Sequence, residues 1–149
     1  MKLRVYLDTS VFSAYYDYRL VDRQTLTGEF WERLNEFEVS TSELTRLELM
    51  QTNDEFLKGN LDHLLETVTL YPITDDMRNL ANRYVSANVF SPTMFNDALH
   101  VAAAVMARQD VILSWNFRHL VNRRRRAQIN QINVVLELPM IEIMAPPEL

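Results

Sequence analysis

The chain contains no cysteine and only two glycines, Gly28 and Gly59, among its 149 residues. Without cysteine it cannot form a disulfide, a thiolate zinc site, an iron–sulfur cluster or a cysteine nucleophile, so any metal must be bound by oxygen or imidazole. Two glycines so far apart cannot make the glycine-rich loop that cradles phosphates in dinucleotide-binding and Walker-type proteins. The sequence therefore excludes thiol chemistry and glycine-cradled nucleotide sites.

Long apolar stretches are also absent. The apolar start of the chain reaches Asp8 after a few residues, short of the roughly 7 to 15 apolar residues of a signal-peptide core. The most apolar later run, 98–107, contains His100 and is well below the roughly 20 residues that cross a bilayer. A length of 149 residues with 48% hydrophobic types is typical of one domain. We therefore expect a single domain over 1–149, located in the cytoplasm and not in a membrane.

The charge of the chain is unevenly distributed. Fifteen lysines and arginines against twenty acids give a net charge of -5, which argues against a protein that coats nucleic acid nonspecifically. Between Val111 and Leu136, however, there is no acid and there are five arginines: Arg118, Arg123, Arg124, Arg125 and Arg126. This basic segment is either a solvated helix face paired with acids or a surface that contacts phosphates. Four consecutive arginines on a helix, at roughly 100° per residue, cannot all face one ligand.

Residue patterns predict strands that alternate with helices. Alternating or short apolar runs predict strands at 3–7, 37–40, 67–71, 111–114 and 140–144. Helical spacing and capping residues predict seven helices. The first starts near Val11, the second ends near Glu36, and the third carries Leu44, Leu47 and Leu49. The fourth covers 54–66, the fifth follows Thr74, and the last two cover about 96–108 and 116–130. Parallel strands need crossovers, which are usually helical. The pattern therefore predicts an α/β fold, a three-layer α/β/α sandwich with a central, mainly parallel sheet.

Polar residues after the predicted strands are the candidates for chemistry, because ligands of such folds bind outside the carboxyl ends of the strands. The residues at these positions are Asp8, Glu43, Glu48, Asp97, Ser114 and Asn116. Several carboxylates in one place repel one another unless a cation is present. An oxygen-rich group without cysteine suits Mg²⁺ or Mn²⁺.

Most of these acids also have a purely structural explanation. Asp8 and Asp97 could be helix N-terminal acids stabilised by the helix dipole. Glu43 fits the third position of a capping box that begins at Ser40, and Ser42 is the alternative start of the same helix. Glu48 has no such explanation. It lies beside Leu47 and Leu49 on a turn that should face the body of the protein, where an unpaired carboxylate would be costly. The sequence therefore predicts a partner for Glu48.

The remaining polar residues of catalytic type give weaker signals. His63, His100 and His119 lack any metal-binding spacing, so structural roles are favoured, with His100 either orienting Asp97 or packing in its helix. Ser10 lacks the glycine-flanked elbow of a serine nucleophile and fits a helix cap.

Four short segments resemble the PIN-domain proteins, and their spacing most closely resembles the VapC-like toxins of toxin–antitoxin pairs. These segments are residues 7–11, 47–49, 96–104 and 112–120, and the likeness extends to the closing 141–149, so that it covers nearly the whole chain. The resemblance implies an endoribonuclease dependent on Mg²⁺ or Mn²⁺, with the metal bound by Asp8, Glu48 and Asp97. It also implies a small antitoxin partner and a homodimer. Family members often carry Asp where this chain has Asn116, and the neutral amide weakens attraction for a second ion.

The hypothesis that follows assigns roles to nine residues. Asp8, Glu48, Asp97 and Asn116 are the catalytic residues, and the first three hold a divalent cation, with Glu48 acting directly or through water. Ser10 and Ser114 support them, while Arg118, Arg123 and Arg124 hold the RNA backbone. The alternative is a catalytically impaired PIN-like module that binds RNA or a protein, for which Asn116 is the best support. A haloacid dehalogenase-type phosphatase is a weaker third option, because the segment 8–10 lacks the second Asp of that signature.

Overall fold

The computed structural model describes residues 1–149 as one five-stranded sheet with helices on both faces. The strands are β1 (Arg4–Leu7), β2 (Glu38–Ser42), β3 (Thr69–Tyr71), β4 (Val111–Leu113) and β5 (Glu142–Met144). The helices are α1 (Thr9–Tyr15), α2 (Val21–Glu32), α3 (Glu43–Leu49), α4 (Glu55–Leu65), α5 (Asp75–Ser86), α6 (Phe95–Met106) and α7 (Arg123–Val135). Short 3₁₀ turns lie at Leu34–Glu36, Pro92–Met94 and Pro146–Glu148. None of the helices is both long and apolar enough to span a membrane.

The strand order is β3-β2-β1-β4-β5, and every neighbouring pair is parallel. The chain runs outward from β1 through β2 to β3 and then crosses to the other side of β1 for β4 and β5. In register, Tyr6 of β1 lies between Ser40 of β2 and Ile112 of β4. The predicted α/β sandwich with a parallel sheet is confirmed. Its topological switch point lies between β1 and β4, and ligands of such sheets bind at the carboxyl end of this crevice.

The core lies in two layers, one on each face of the sheet. Successive side chains of a strand point to opposite faces. In β1, Val5 and Leu7 therefore belong to the same core layer as Phe12 of α1, whereas Tyr6 belongs to the other layer with Tyr84 of α5. The run 98–105 of α6 is buried on all sides, which explains why it is so apolar in the sequence.

The structure corrects two helix predictions. The last helix begins at Arg123 and not near Asn116, because residues 116–122 form turns in which side chains bind the backbone. Asn116 Oδ1 accepts a hydrogen bond from the backbone N–H of His119 at 2.9 Å, and Asn122 Oδ1 caps α7 by accepting from Arg125 N at 2.8 Å. The helix that was predicted to reach Glu36 ends at Glu32, and a 3₁₀ turn follows it.

Of the two predicted starts of α3, the capping box from Ser40 to Glu43 is wrong and Ser42 is confirmed. Ser40 lies inside β2, where its hydroxyl donates to Gln109 Oε1 at 3.0 Å, and α3 begins after Ser42. Glu43 instead forms an ion pair with Arg46 one turn later. The reason is that β2 extends two residues further than predicted, so that the turn to α3 comes later in the chain.

Candidate active site

The acids selected from the sequence lie at the carboxyl edge of the sheet, around the switch point. Asp8 directly follows β1, and Glu48 lies in α3, the helix that follows β2. Ser114 directly follows β4. Asp97 lies in the first turn of α6, and crossover helices run antiparallel to the strands, so their first turns lie at this same edge. Two networks of hydrogen bonds connect these residues.

Asp8 is almost completely buried, with 4% of its surface exposed. It caps α1, and its Oδ1 accepts hydrogen bonds from Ser10 N at 3.0 Å and from Ser10 Oγ at 2.5 Å. Its Oδ2 accepts from Ser114 Oγ at 2.5 Å. Burial raises the pKa of Asp8, and this outweighs the nearby His100 and the serine hydrogen bonds, which act to lower it. Since all three donors are neutral groups, the site buries a carboxylate that no cationic side chain contacts.

The two serine hydroxyls connect Asp8 to the segment after β4. Each one donates its proton to Asp8 and accepts a backbone N–H, from Trp115 at 2.8 Å in the case of Ser10 and from Asn116 at 2.9 Å in the case of Ser114. A hydroxyl has one proton, so these acceptor contacts leave Asp8 as the recipient of both protons. Ser10 and Ser114 therefore hold the orientation of the Asp8 carboxylate.

Glu48 has the partners that its position requires. Its Oε1 accepts a hydrogen bond from Thr9 Oγ1 at 2.7 Å and lies 2.6 Å from His100 Nε2. Burial by itself would raise the pKa of Glu48, but the hydrogen bond and charge of His100, together with Thr9, outweigh it and lower the pKa. The other ring nitrogen of His100 lies 2.8 Å from the hydroxyl of Tyr6. The side chain of His100 therefore faces Glu48, and Glu48 is not left with an unpaired charge.

Asp97 is held by His119, a residue to which sequence reasoning gave only a structural role. His119 Nδ1 lies 3.0 Å from Asp97 Oδ2, and the carboxylate can only accept, so the imidazole donates. The carbonyl of His119 accepts a 2.5 Å hydrogen bond from Arg125, which fixes the turn that carries the ring. The one feature of the sequence that could have pointed to His119 as a site residue is its position, three residues after Asn116 in the segment that follows β4.

The side-chain carbonyl of Asn116 accepts a hydrogen bond from the backbone. Its Oδ1 is the acceptor for His119 N, and its own N–H binds Ser114. A continuous path of hydrogen bonds therefore leads from Asp8 through Ser114, Asn116 and His119 to Asp97. The catalytic role that the sequence assigns to Asn116 stays a prediction.

No group of three or more His, Asp or Glu side chains is arranged so that it could hold a metal ion. Each acid is instead bonded to hydroxyl or imidazole groups. Asp97 Oδ1 and Glu48 Oε2 accept no hydrogen bond from the protein. Mg²⁺ is usually bound by one or two carboxylates while waters complete its shell, so the donor types present fit such an ion. A site in which all three acids bind one ion stays a prediction.

The basic segment divides into two kinds of arginine. Arg118, Arg123 and Arg124 are exposed. Arg125 donates to the carbonyl of Val89 at 3.0 Å, and Arg126 donates to the carbonyl of Ile143 at 2.5 Å. Burial lowers the pKa of Arg125. Only the three exposed arginines, which are the three predicted to contact RNA, are free of such backbone contacts.

Neither a protein-family model nor a curated protein matches the sequence. Solved structures do match it. A toxin–antitoxin complex from Klebsiella pneumoniae is 14% identical with a TM-score of 0.59, covering 81% of this chain and 93% of that one. VapC20 of Mycobacterium tuberculosis, a sarcin-ricin loop cleaving toxin, is 15% identical with a TM-score of 0.62, covering 77% and 92%. FitAcB from Neisseria gonorrhoeae is 14% identical with a TM-score of 0.62, covering 97% and 99%. The likeness is one of fold, and the chain has the fold of a VapC-like PIN domain.

Proposed function

We propose that the chain is a divalent-metal-dependent endoribonuclease, the toxin of a type II toxin–antitoxin pair, which hydrolyses RNA phosphodiester bonds in the cytoplasm. The observation that carries the proposal is the path of hydrogen bonds that joins Asp8 to Asp97 at the switch point of the sheet. Glu48 lies at the same edge, and exposed arginines follow in the chain. The shared fold with a toxin that cleaves the sarcin-ricin loop supports the proposal.

Asp8 and Asp97, with Glu48 directly or through water, would hold Mg²⁺ or Mn²⁺. Such an ion, when bound, supplies polarisation of a phosphate oxygen and a lowered pKa for the attacking water. The protein contributes the orientation of each acid. Ser10 and Ser114 hold Asp8, as described above, and comparable partners hold the other two carboxylates, which keeps all three in fixed orientations before RNA arrives.

Arg118, Arg123 and Arg124 would hold the RNA backbone. An acidic site repels a polyanion, so cations beside it are needed to bring the scissile phosphate close. Contacts to phosphate fix the register of the RNA but carry no information on sequence. The choice of RNA must therefore come from other side chains.

A small antitoxin and a homodimer complete the proposal. The solved Klebsiella pneumoniae structure with this fold is a toxin–antitoxin complex, which supports a protein partner for this chain. Mixing the purified chain with its antitoxin should abolish cleavage, and light scattering of the chain alone should give the mass of a dimer.

The test of the proposed function is RNA cleavage with and without Mn²⁺, in which the unmodified chain is compared with Asp97→Asn. We expect cleavage only with metal, and a loss in the variant greater than the roughly 10- to 100-fold that removal of an outer-shell partner costs. His63→Ala, at an exposed position of α4, is the control that should leave cleavage unchanged. Cleavage that survives both chelation and Asp97→Asn would contradict the proposal.

A catalytically impaired module that binds RNA or a protein is the second candidate, because Asn116 is neutral and its carbonyl oxygen is already bonded to His119. A ligand that binds only the folded state increases the free energy of unfolding by RT ln(1 + L/Kd), where L is the ligand concentration, so the unfolding midpoint rises with the logarithm of ligand concentration once it exceeds Kd. Melting curves that do not respond to Mn²⁺, together with intact RNA binding, would favour this module over the nuclease.

His119 should act through Asp97. We expect His119→Ala to weaken Mn²⁺ binding and to lower kcat by roughly 10- to 100-fold, since the carboxylate loses the donor that orients it. His119→Asn should retain most of the Mn²⁺ affinity and most of kcat, because the amide nitrogen of Asn can take the place of imidazole Nδ1. The readouts are the Mn²⁺ dependence of the melting temperature and a separation of kcat from KM. Equal losses in both variants would show that the ring acts by packing alone.

A further inference from the structure

Phe117 is a large apolar side chain with 50% of its surface exposed, in the turns between β4 and α7. Its ring meets the ring of Trp115 edge-on, with centroids 6.1 Å apart and an interplanar angle of 67°. Trp115 is buried, and its indole N–H donates to Thr27 Oγ1 at 2.9 Å. The ring of Phe117 therefore packs against a buried indole, while half of the residue's surface faces solvent.

The backbone that carries this exposed ring lies beside the acidic site. The residue before it, Asn116, donates its backbone N–H to the hydroxyl of Ser114, and that hydroxyl donates to Asp8. The residues on both sides of the supporting Trp115 are thus tied to the carboxylate network. Phe117 is therefore one residue away in the chain from the hydrogen bonds that hold Asp8.

Two arginines lie near Phe117, one next to it in the chain and one on the ring that it contacts. Arg118, the next residue, is exposed, and the guanidinium of Arg23 lies 5.1 Å from the centroid of the Trp115 ring. No acid occurs between Val111 and Leu136. Exposed aromatic rings beside cations are the arrangement with which proteins bind single-stranded nucleic acid, the ring stacking on a base and the cations contacting phosphates. An apolar protein partner would instead be expected to cover several apolar side chains, whereas Phe117 stands between Asn and Arg.

We propose that Phe117 is a platform on which an unpaired base of the RNA stacks, while Arg118 contacts a neighbouring phosphate. The inference rests on the proposed function and adds a residue that positions the RNA, the exposed ring of Phe117, which would contact an unpaired nucleotide near the cleavage site. Bases inside a continuous duplex are stacked on their neighbours and paired, so that an aromatic side chain cannot reach them. Stacking tolerates different bases, so the platform by itself selects for unpaired structure and not for sequence.

The experiment measures binding of a labelled, random-sequence single-stranded RNA in an Asp97→Asn background, in which the RNA should not be cut. Phe117→Ala should weaken binding by roughly 10-fold, the loss typical of one stacked base. Phe117→Leu should lose as much, because leucine is apolar but has no π face. Phe117→Tyr and Phe117→Trp should bind as the Asp97→Asn parent does, and the emission of the introduced indole should be quenched by RNA.

Phe56→Ala is the matched control, since Phe56 is also an exposed phenylalanine, 81% exposed, but lies on α4 outside the basic segment. Its RNA affinity should be unchanged. The inference is overturned if Phe117→Ala binds as the parent does, if leucine restores binding, or if a fully paired RNA binds equally well with the same dependence on Phe117. A Phe117→Ala variant that changes the oligomeric state in light scattering would overturn it too, by assigning the ring to a protein contact. If the Asp97→Asn parent binds no RNA at all, the proposed function itself is contradicted, and this outcome is distinguishable from a failure of the Phe117 inference alone.

Discussion

Asp8→Asn is expected to abolish Mn²⁺-dependent RNA cleavage and at the same time to raise the melting temperature of the metal-free protein. The carboxylate is buried and its hydrogen-bond donors are all neutral, so its charge costs stability in the folded state when no ion is bound. Asparagine keeps the size and one carbonyl acceptor but removes the charge. Its NH2 group takes the place of one oxygen, so one serine hydroxyl loses the acceptor for its proton, which offsets part of the gain. Stabilising changes of this kind are worth about 1 kcal/mol, or about 2–4 °C in a domain of this size.

The gain in stability should depend on pH. Because burial raises the pKa of Asp8 above its ordinary value of 3.8, the folded protein holds this proton more tightly than the unfolded chain. The cost of the charge is absent at low pH, where Asp8 is protonated in both states. It develops as the pH rises from the unfolded to the folded pKa. The difference between Asp8→Asn and the unmodified chain should therefore be largest at neutral pH and disappear in acid.

Thermal unfolding in chelator at several pH values measures this difference, and an RNA cleavage assay measures the loss of activity. Asp62→Asn, at an exposed position of α4, is the matched control and should change neither property. A variant that still cleaves RNA would remove Asp8 from the chemistry. A variant that is inactive but less stable would show that Asp8 serves the fold through its cap of α1 and not a metal.

Arg125→Met should destabilise the fold by about 2–3 kcal/mol, whereas Arg124→Met should not. Arg125 donates to the carbonyls of Val89 and His119, and its guanidinium lies 4.9 Å from the centroid of the Phe90 ring. Methionine keeps much of the apolar stem but leaves these partly buried carbonyls without donors, and each lost partner costs about 1–3 kcal/mol. Arg124 is exposed, and surface substitutions of this kind usually change stability by less than about 0.5 kcal/mol.

The same pair should behave differently toward RNA. Arg124→Met should weaken binding about equally for all RNA sequences. It should also reduce the number of counterions released on binding, which the salt dependence measures, by about one. Urea unfolding and RNA titrations at several salt concentrations measure the two effects. If Arg125→Met unfolds at the same urea concentration as the unmodified chain, the division of the basic segment into internal and exposed arginines is wrong.

The order of strands and helices could be predicted from the sequence because it depends on local periodicity. Alternation around Val5, the run 98–105 and the capping residue Thr74 each specify an element through neighbours in the chain. The start of α7 could not be predicted this way. Side chains of Asn116 and Asn122 bind backbone groups three residues ahead, and this competes with helix formation over 116–122.

The acids of the site could be selected from the sequence because they follow predicted strands or open a helix, but their partners could not be identified. The burial expected for Glu48 implied a partner, and nothing local indicated that it would be His100, 52 residues away. His119 stands 22 residues from Asp97 and gave no signal of its own as a partner of that acid. The four consecutive arginines were equivalent in sequence, and only packing separates the two that bind carbonyls from the two that face solvent.

The sequence by itself determined the kinds of secondary structure, their alternation and the candidate acids, since these follow from the spacing of apolar residues and from side-chain chemistry along the chain. Only the tertiary structure decided which hydroxyls and imidazoles hold those acids, and which arginines and aromatic rings stay exposed. The physical reason is that hydrogen bonds and burial depend on distances in space, and a parallel sheet brings together residues that its crossover helices separate widely in sequence.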